Sequence, residues 1–274
     1  ILPAPVSTPG FDAAPYLTAT LCVTKDPETG VRNMGTYRAG FKANDRLGVR
    51  MASRLSGAGG YVHWLKYQKM GQPMPCAIIV GCAPVVAFTG PQKLGIDEDE
   101  MAVAGGLAGR AMRVTRAKTV DLEIPADAEI VIEGFIDTQL LEPEGPFGES
   151  HGHIALEDFN MSMRVTAITM KNVANAIVLQ LDYVDNNRPD FKGDPTKVPA
   201  IRNILLDHLT IEGSRNAGII HGLPDSPITN ITLRDITITA EKDFDILNAD
   251  HPTFERVTRT IKPGVAPKKI PGEH

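Results

Sequence analysis

The sequence has few aromatic residues, few cysteines and no long hydrophobic run. Aromatic residues make up 5% of its 274 residues, and its three cysteines form no C-x-x-C pair. Such a sparse, odd set is typical of reduced thiols inside a cytoplasmic protein rather than of a disulfide framework. The longest apolar run, residues 76–88, contains Gly81 and Pro84 and is too short for a membrane-spanning helix. We therefore expect a cytoplasmic protein without a membrane partner.

The chain also lacks a strong excess of either charge. It has 28 Lys and Arg against 33 Asp and Glu, for a net charge of −5. A balance of this kind gives no basic surface for nucleic acid, so we expect no nucleic-acid partner. Apolar residues, at 42%, are sufficient for a folded core. Because the chain starts at Ile1 with neither Met nor a leader segment, we expect a fragment of a longer protein.

The first part of the chain is rich in glycine and proline and carries short apolar runs between turns. Residues 75–88 predict a buried strand that leaves the sheet at Gly81. Acidic residues in the first turn favour a helix over 98–107. Branched apolar residues predict strands over 119–124 and 129–136. The region is therefore predicted to be mixed α/β, with more strand than helix.

The second part contains an internal repeat. Residues 201–211 and 228–238 match at their apolar positions, at an Asn and at a Thr, and a fainter copy covers 165–173. Repeats of this period with short β segments favour stacked coils of a parallel β-helix, and a β-sandwich with similar hairpins is the alternative. The matched Asn203 and Asn230 are expected to be structural, at the corners of the coils.

Acidic residues mark the first candidate site. The segment Pro143–His153 places Glu144 and Glu149, two glycines and two histidines in a predicted irregular turn. Paired carboxylates near histidine suit proton transfer, because mutual repulsion can raise one pKa. Spacing alone also allows a solvated acidic turn, and it favours that simpler interpretation. The acidic run 97–100 is similarly expected to be a charged helix start.

Two further segments suggest anion binding. Arg38 follows a turn over 26–30 and is able to hold a carboxylate substrate through a bidentate contact. The glycine-rich loop 56–60 offers main-chain N–H groups to a phosphate. Its spacing matches neither a P-loop nor a Rossmann fingerprint, so it identifies no nucleotide fold.

Five motifs then occur in order over the first 168 residues. They are Ser7–Tyr16, Thr24–Pro27, Asn33–Arg38, Ile124–Gly134 and Glu144–Glu149. Together they resemble the UbiD family, the reversible decarboxylases of aromatic and α,β-unsaturated acids that depend on prenylated FMN. The resemblance implies that residues 1–168 form the family's cofactor-binding domain, a split β-barrel of the flavin-reductase type.

The same resemblance implies roles for individual residues. The implied catalytic network is Arg38, Glu144 and Glu149, with Glu149 as the proton donor. The implied ligands of Mn²⁺ or Mg²⁺ are Asn33 and Glu100, and His63 is the nearest histidine to the family's third ligand. A monovalent cation such as K⁺ is implied nearby. The implied cofactor-binding residues are Asn33, Met34, Gly35, Thr36, Arg38 and Gln92.

Beyond about residue 168 the resemblance changes. The segments Ile168–Ile177, Ile201–Ile204, Gly218–Ile228 and Asn230–Leu233 resemble family 28 glycoside hydrolases, the polygalacturonases. That resemblance implies a right-handed parallel β-helix over residues 169–262. The family's Asn-Thr-Asp, Asp-Asp and Gly-His-Gly signatures do not occur in the sequence, so no pair of catalytic acids is assigned there.

The sequence therefore predicts a mainly β protein with some α. We expect a UbiD-like domain over 1–168, a few β-helix coils over 169–262 and a Pro/Lys tail over 263–274. We hypothesise that parts of two unrelated proteins join at the shared strand 165–170, and that the UbiD family's N-terminal segment and C-terminal α/β domain, with its phosphate-binding lysine, are absent. The expected function is decarboxylation of a small carboxylic acid, in a homo-oligomer. The alternatives are a polygalacturonase-like glycosidase fragment and an inactive fusion scaffold.

Overall fold

The computed structural model describes residues 4–51, 58–171, 173–182 and 198–262. The chain divides into two compact units, one of residues 2–168 and one of residues 169–274 together with Ile1. The predicted tail 263–274 lies outside the described residues, as do residues 56 and 57 of the predicted phosphate loop.

The first unit contains twelve strands and three helices within its described residues. The strands are β1 (Tyr16–Leu17), β2 (Thr20–Lys25), β3 (Arg32–Gly35), β4 (Ala39–Ala43), β5 (Arg46–Val49), β6 (Met74–Val80), β7 (Val114–Arg116), β8 (Glu123–Pro125), β9 (Ile130–Glu144), β10 (Phe147–Gly148), β11 (Ile154–Ala155) and β12 (Asp158–Lys171). The helices are α1 (Gly59–Lys69), α2 (Pro84–Thr89) and α3 (Glu100–Ala108). The described part of this unit is thus mainly β, as its composition and patterning predict.

Eight of these strands form one sheet in the order β1-β4-β5-β12-β9-β6-β2-β3. Neighbours such as β2 and β3 run antiparallel, with Thr24 opposite Asn33 and Cys22 opposite Gly35. Residues directly opposite each other in an antiparallel pair point to the same face of the sheet. The register of β2 and β3 therefore puts Asn33 and Thr24 on one face and Met34 on the other.

Both faces of this sheet are buried. On one face, Trp64 of α1 packs in a cluster with Cys22 and Ile78. On the other face, Met101 of α3 packs in a cluster with Met34. Because side chains alternate along a strand, β3 sends Asn33 towards the α1 side and Met34 towards the α3 side. The two helices therefore bracket the strand that carries the predicted metal and cofactor residues.

The predicted elements of this unit are partly confirmed. Strand β6 ends one residue before Gly81, as expected, but residues 84–89 form helix α2 instead of more strand. Helix α3 confirms the helix predicted over 98–107, and β9 contains the strand predicted over 129–136.

The strand predicted over 119–124 is confirmed only at its end, because residues 119–121 form a bend and β8 begins at Glu123. The reason is the buried Glu133, whose carboxylate accepts the main-chain N–H groups of Lys118 and Thr119 at 3.0 and 2.6 Å and the Thr119 hydroxyl at 2.8 Å. A charged acceptor satisfies these donors as strongly as a neighbouring strand would. The chain therefore bends around Glu133 at this point.

The second unit is built from parallel strands. They are β13 (Val178–Gln180), β14 (Arg202–Asn216), β15 (Ile219–His221), β16 (Ile228–Lys242), β17 (Asp245–Leu247), β18 (Ala249–Asp250) and β19 (Thr253–Ile261). Strand β15 lies between β13 and β17, and β16 pairs with β14, β18 and β19, always in parallel. The two strong copies of the repeat lie side by side, with Ile204 opposite Ile231 and Leu206 opposite Leu233. Parallel pairing excludes a hairpin between these copies, which the alternative of a β-sandwich with similar hairpins would require. The right-handed β-helix and its polygalacturonase origin stay predictions.

Candidate active site and metal site

Arg38 lies at the centre of a charged network with Glu144 and Glu149. Its Nε and one terminal nitrogen donate to the two carboxylate oxygens of Glu144 at 2.8 and 2.9 Å. Its other terminal nitrogen donates to Glu149 Oε1 at 2.5 Å. A bidentate contact of this kind fixes both the distance and the plane of the pair. The structure thus brings together all three residues of the predicted catalytic network.

The two carboxylates differ in their access to solvent. The Glu144 side chain is 0% exposed, whereas that of Glu149 is 31% exposed. A solvated acidic turn is therefore wrong for Glu144. The segment 143–153 is also more regular than predicted, because Phe147–Gly148 pairs with Ile154–Ala155 as a short antiparallel ladder. The bidentate partner of Arg38 is Glu144 of the same chain and not a substrate. A substrate carboxylate would therefore have to contact the N–H groups of Arg38 that do not donate to Glu144 or Glu149.

Aromatic and polar side chains enclose the network. The Arg38 guanidinium lies 4.4 Å from the centre of the Phe147 ring and 5.9 Å from that of Tyr16. Burial, together with the nearby Glu144 carboxylate, raises the pKa of Tyr16 to about 12, so the phenol stays neutral at physiological pH. Burial opposes the charge on Arg38, but the two glutamates more than compensate and raise its pKa. The guanidinium is therefore permanently charged, and both rings lie within cation–π distance of it.

Asn33 and Glu100 form a second cluster of oxygen atoms. Glu100 Oε2 accepts the Met34 main-chain N–H at 2.8 Å, and burial raises the pKa of this carboxyl. The Asn33 amide oxygen accepts the main-chain N–H groups of Gly60 and Met34 at 3.3 and 3.2 Å, so Asn33 and Glu100 both lie beside the Met34 N–H. Buried carboxylate and amide oxygens are the ligands that Mg²⁺ and Mn²⁺ prefer. The chemistry of these donors therefore fits the implied divalent cation.

Helix α1 reaches this cluster because it begins with two glycines. A Cβ on Gly59 would lie 1.9 Å from Asn33 Oδ1, so only glycine allows this approach. The Gly60 N–H lies 3.3 Å from the Tyr37 hydroxyl. The positive end of the α1 dipole therefore lies beside Asn33, an arrangement suited to an anion.

His63, the third implied metal ligand, has other contacts. Its Nδ1 lies 2.9 Å from the Thr24 hydroxyl, and its Nε2 lies 3.9 Å from Asp26 Oδ2 without a hydrogen bond. Burial lowers the pKa of His63 to about 4, so the ring is neutral at physiological pH. The described contacts place His63 with Thr24, which is opposite Asn33 on β2, and its role as a ligand stays a prediction.

The remaining implied cofactor residues are spread over different environments. The Met34 side chain is buried among apolar residues, so only its main chain is available to a ligand. A Cβ on Gly35 would lie 2.3 Å from the Tyr37 ring, which explains the glycine. Thr36 is exposed in the irregular segment between β3 and β4, and the exposed Gln92 donates to the Phe88 carbonyl at 2.9 Å. None of the described contacts joins Gln92 to the other implied residues.

Sequence reasoning did not identify several neighbours of these clusters. Tyr16 and Phe147 enclose Arg38, Arg50 lies 4.0 Å from Glu144, and Tyr37 lies beside Gly60. Tyr16 and Tyr37 lie in motifs that carry the family resemblance, but only the fold shows which charged group each one contacts. Arg38 and Glu144 are 106 residues apart, so local spacing gives no sign of these contacts.

A comparison with protein families identifies the family of the chain. The family profile described as the UbiD 3-octaprenyl-4-hydroxybenzoate carboxy-lyase Rift-related domain matches residues 1–182. The chain belongs to the UbiD family. The match continues past residue 168, where the resemblance seen in the sequence changes. It does not support a polygalacturonase-like β-helix in the C-terminal part.

Similar chains occur in bacteria. An uncharacterised protein of Aquifex aeolicus is 37% identical over 161 residues, which cover 58% of this chain and 32% of that protein. The uncharacterised protein sll0936 of Synechocystis is 32% identical over 198 residues, which cover 72% of this chain and 37% of that protein. The matched part of the chain therefore spans about a third of the length of these two relatives.

Solved structures show the same likeness. The UbiD-class enzyme HmfF from Pelotomaculum thermopropionicum, in an evolved dimeric form with prFMN, is 33% identical with a TM-score of 0.57. That match covers 61% of this chain and 38% of HmfF. The vanillic acid decarboxylase of Sedimentibacter hydroxybenzoicus is 30% identical with a TM-score of 0.52, over 56% of this chain and 33% of that enzyme. UbiD-class enzymes of known structure thus include decarboxylases and proteins that bind prFMN.

Proposed function

We propose that the chain carries the cofactor domain of a reversible, non-oxidative decarboxylase. Its substrate would be a small aromatic or α,β-unsaturated carboxylic acid, and its cofactors prenylated FMN and Mn²⁺ or Mg²⁺, with K⁺ nearby. The observation that carries the proposal is Arg38 held between one buried and one partly exposed glutamate. Membership of the UbiD family supports the reaction class. The alternative of a polygalacturonase-like glycosidase is not favoured.

Arg38 and Glu144 form the fixed part of the site. Both oxygens of Glu144 are occupied by Arg38, and Asn160 Nδ2 lies 3.5 Å from one of them. This chelation holds the guanidinium in one plane between the rings of Tyr16 and Phe147. The positive charge of Arg38 attracts the substrate carboxylate and orients it beside Glu149.

Glu149 is the proton carrier. One of its oxygens contacts Arg38, and its partial exposure allows the other oxygen, Oε2, to exchange protons with solvent. Glu149 Oε2 therefore can deliver a proton to the carbon that loses CO₂ and then be recharged from water. Buried Glu144 has no such route, which assigns different roles to the two carboxylates.

The cofactors would bind on the Asn33 side of the sheet. When bound, prenylated FMN supplies the electron sink for decarboxylation, and the divalent cation, with Asn33 and Glu100 as oxygen ligands, neutralises the cofactor phosphate. The N-terminus of α1 beside Asn33 offers main-chain N–H groups to that phosphate. Met34, Gly35 and Thr36 connect this cluster to Arg38 along a single stretch of chain.

Location and assembly are also part of the proposal. No helix in the described ranges combines the length and apolarity needed to cross a bilayer. The free thiols of Cys22, Cys76 and Cys82 suit a reducing compartment, and we place the protein in the cytoplasm. HmfF was solved in an evolved dimeric form, and we propose a homo-oligomer here too.

The experiment loads the protein with prenylated FMN and Mn²⁺ under anaerobic conditions. CO₂ release is then measured from a panel of aromatic and unsaturated acids, with flavin absorbance as the measure of cofactor binding. Glu149→Gln should keep the flavin but lose about 10²–10⁴-fold in turnover, because the amide cannot deliver a proton. Glu142→Gln, two residues from Glu144 on the same strand, is the matched control and should remain active.

Two results would contradict the proposal. Full turnover by Glu149→Gln would show that another group donates the proton. Failure of the wild-type protein to retain flavin under any loading condition would favour the inactive scaffold instead. The metal assignment has its own readout, because Asn33→Ala and Glu100→Ala should each weaken Mn²⁺ binding measured by calorimetry on the flavin-free protein.

A further inference from the structure

The N-terminal segment 8–13, here called the clasp, is bound to the strand that precedes Glu149. Asp12 Oδ1 accepts the Gly148 main-chain N–H at 2.8 Å, and Asp12 Oδ2 accepts the Thr8 N–H at 2.7 Å. The Ala13 N–H donates to the Pro146 carbonyl at 3.0 Å. The Asp12 carboxylate therefore joins the two ends of the clasp and also binds the clasp to the main chain next to Glu149.

The clasp is also closely packed against that strand. A Cβ on Gly148 would lie 2.1 Å from the Thr8 hydroxyl oxygen, so no other residue fits there without a shift. The Phe11 and Asp12 N–H groups both donate to the Thr8 carbonyl at 3.0 Å and close the clasp into a turn. This turn keeps the Asp12 carboxylate in place.

The two anchor points lie on either side of Phe147. Pro146 is held through its carbonyl and Gly148 through its N–H, while the Phe147 ring lies 4.4 Å from the Arg38 guanidinium. Glu149 is the next residue, and its carboxylate contacts the same guanidinium. Because the main chain is held at residues 146 and 148, the Cα positions from which the Phe147 and Glu149 side chains extend are held as well.

Both carboxylate oxygens of Asp12 accept main-chain N–H groups in the described contacts. A carboxylate that accepts main-chain N–H groups makes stronger hydrogen bonds than a neutral acceptor and holds them in a defined direction. Without it, the Gly148 N–H would lose this acceptor, and the main chain of Glu149 would be held only by its hydrogen bonds with His153 and Gly152, at 2.8 and 3.0 Å. Burial cannot replace the lost hydrogen bond, because the Glu149 side chain is the exposed member of the network.

We propose that Asp12 is a positioning residue that holds Glu149 against Arg38 through the Gly148 N–H. This inference rests on the proposed function, in which Glu149 carries the proton. Asp12 itself touches neither substrate nor cofactor in this proposal. Its effect is on the proton-transfer step, and binding of the substrate carboxylate by Arg38 is unaffected.

The test compares Asp12→Ala and Asp12→Asn with Asp137→Ala in the flavin- and Mn²⁺-loaded protein. Asp137 is the matched control, because its carboxylate also accepts two main-chain N–H groups, those of Gln139 and Leu140 at 2.7 and 3.0 Å. Asp12→Ala should lower kcat about 10²-fold with KM unchanged, since a small misplacement of a catalytic group has an effect of this size. Asp12→Asn keeps an oxygen for the Gly148 N–H and should recover most of kcat.

A second readout does not need activity. Deuterium exchange at the Gly148 amide should be faster in Asp12→Ala than in wild type and unchanged in Asp137→Ala. Wild-type kcat or wild-type exchange at Gly148 in Asp12→Ala would overturn the inference, as would an Asp12→Asn variant as slow as Asp12→Ala. If wild-type protein does not decarboxylate, the proposed function fails, and the exchange measurement still decides whether Asp12 holds Gly148.

Loss of folding in Asp12→Ala is covered by a second variant. Gly148→Ala leaves Asp12 intact but places its Cβ against Thr8, so it should open the clasp from the other side. It should lower kcat with KM unchanged, as Asp12→Ala does. A folded Gly148→Ala protein with wild-type kcat would overturn the inference.

Discussion

Replacing Glu144 with Gln tests how strongly the buried ion pair stabilises the first unit. Glu144 is 0% exposed and Arg38 is 8% exposed, so neither charge has water as an alternative partner. Removal of one member of a buried pair costs about 3–5 kcal/mol, because the remaining charge is left uncompensated. Here Glu149 remains at 2.5 Å from Arg38, which places the expected loss for Glu144→Gln at the lower end, about 3 kcal/mol.

The same strand supplies the control. Glu142 pairs with Arg46 at 3.1 Å, but the Arg46 side chain is 43% exposed. A pair of this kind stabilises by about 0–1 kcal/mol, so Glu142→Gln should unfold at nearly the wild-type urea concentration. The two variants remove the same charge from the same strand and differ in burial.

Urea unfolding followed by tryptophan fluorescence is the assay. The chain has one tryptophan, Trp64, which is buried in the first unit, so its emission reports on that unit alone. This matters because a chain of two units need not unfold in a single step. Equal stability of Glu144→Gln and Glu142→Gln would refute the argument that burial makes the Arg38–Glu144 pair structurally important.

Three further predictions concern stability. Burial alone would raise the pKa of Asp26, but hydrogen bonds from Lys66 and two main-chain N–H groups lower it below 3.8. Its stabilisation is therefore present above pH 3.8 and lost as the pH falls through the folded value, so urea midpoints should fall less on acidification in Asp26→Asn than in wild type. A Cβ on Gly106 in α3 would meet no atom within 4 Å, so Gly106→Ala should stabilise by about 0.5–1 kcal/mol in urea unfolding, and a lower urea midpoint than wild type would contradict this argument. Asn230 has φ 54° and donates to Asn203 at 2.7 Å, so Asn230→Ala should lower the urea midpoint followed by circular dichroism more than Asn230→Gly, and the reverse order would contradict a backbone cause.

Local pattern predicted the elements whose signal lies within their own residues. Strand β6 and helix α3 have clear apolar or capping patterns, and Asp99 caps α3 by accepting the Met101 N–H at 2.9 Å. The bend near Thr119 was missed because its cause, Glu133, lies 14 residues further along the chain. A buried acceptor that replaces strand pairing leaves no mark in the apolar pattern of the bend itself.

The candidate site shows the same limit more strongly. Spacing along the chain could pair Glu144 with Glu149, but it favoured a solvated turn and gave no reason to add Arg38, which is 106 and 111 residues away from them. The family resemblance named all three, whereas the fold shows that they differ in burial. Asp12 was passed over entirely, since its partner Gly148 is 136 residues away and contributes only a main-chain N–H. Almost every residue type has a main-chain N–H, so the identity of the residue that donates it gives no sign of such a contact in the sequence.

The recurring Asn of the second unit was predictable for a different reason, because its constraint repeats. Asn203 and Asn230 both have positive φ, at 58° and 54°, and so do His208 and Asp235, at 54° and 51°. The register of β14 and β16 places Asn203 beside Asn230 and His208 beside Asp235. Left-handed backbone favours Gly and Asn, so one position keeps Asn while the other accepts His and Asp, and there Asp235 accepts two hydrogen bonds from Arg256 of β19 at 2.6 and 2.7 Å. The repeat is therefore visible in the sequence at the position where the left-handed backbone restricts the residue type to Asn. It is not visible at the position where charge pairing between neighbouring strands stabilises the same backbone conformation.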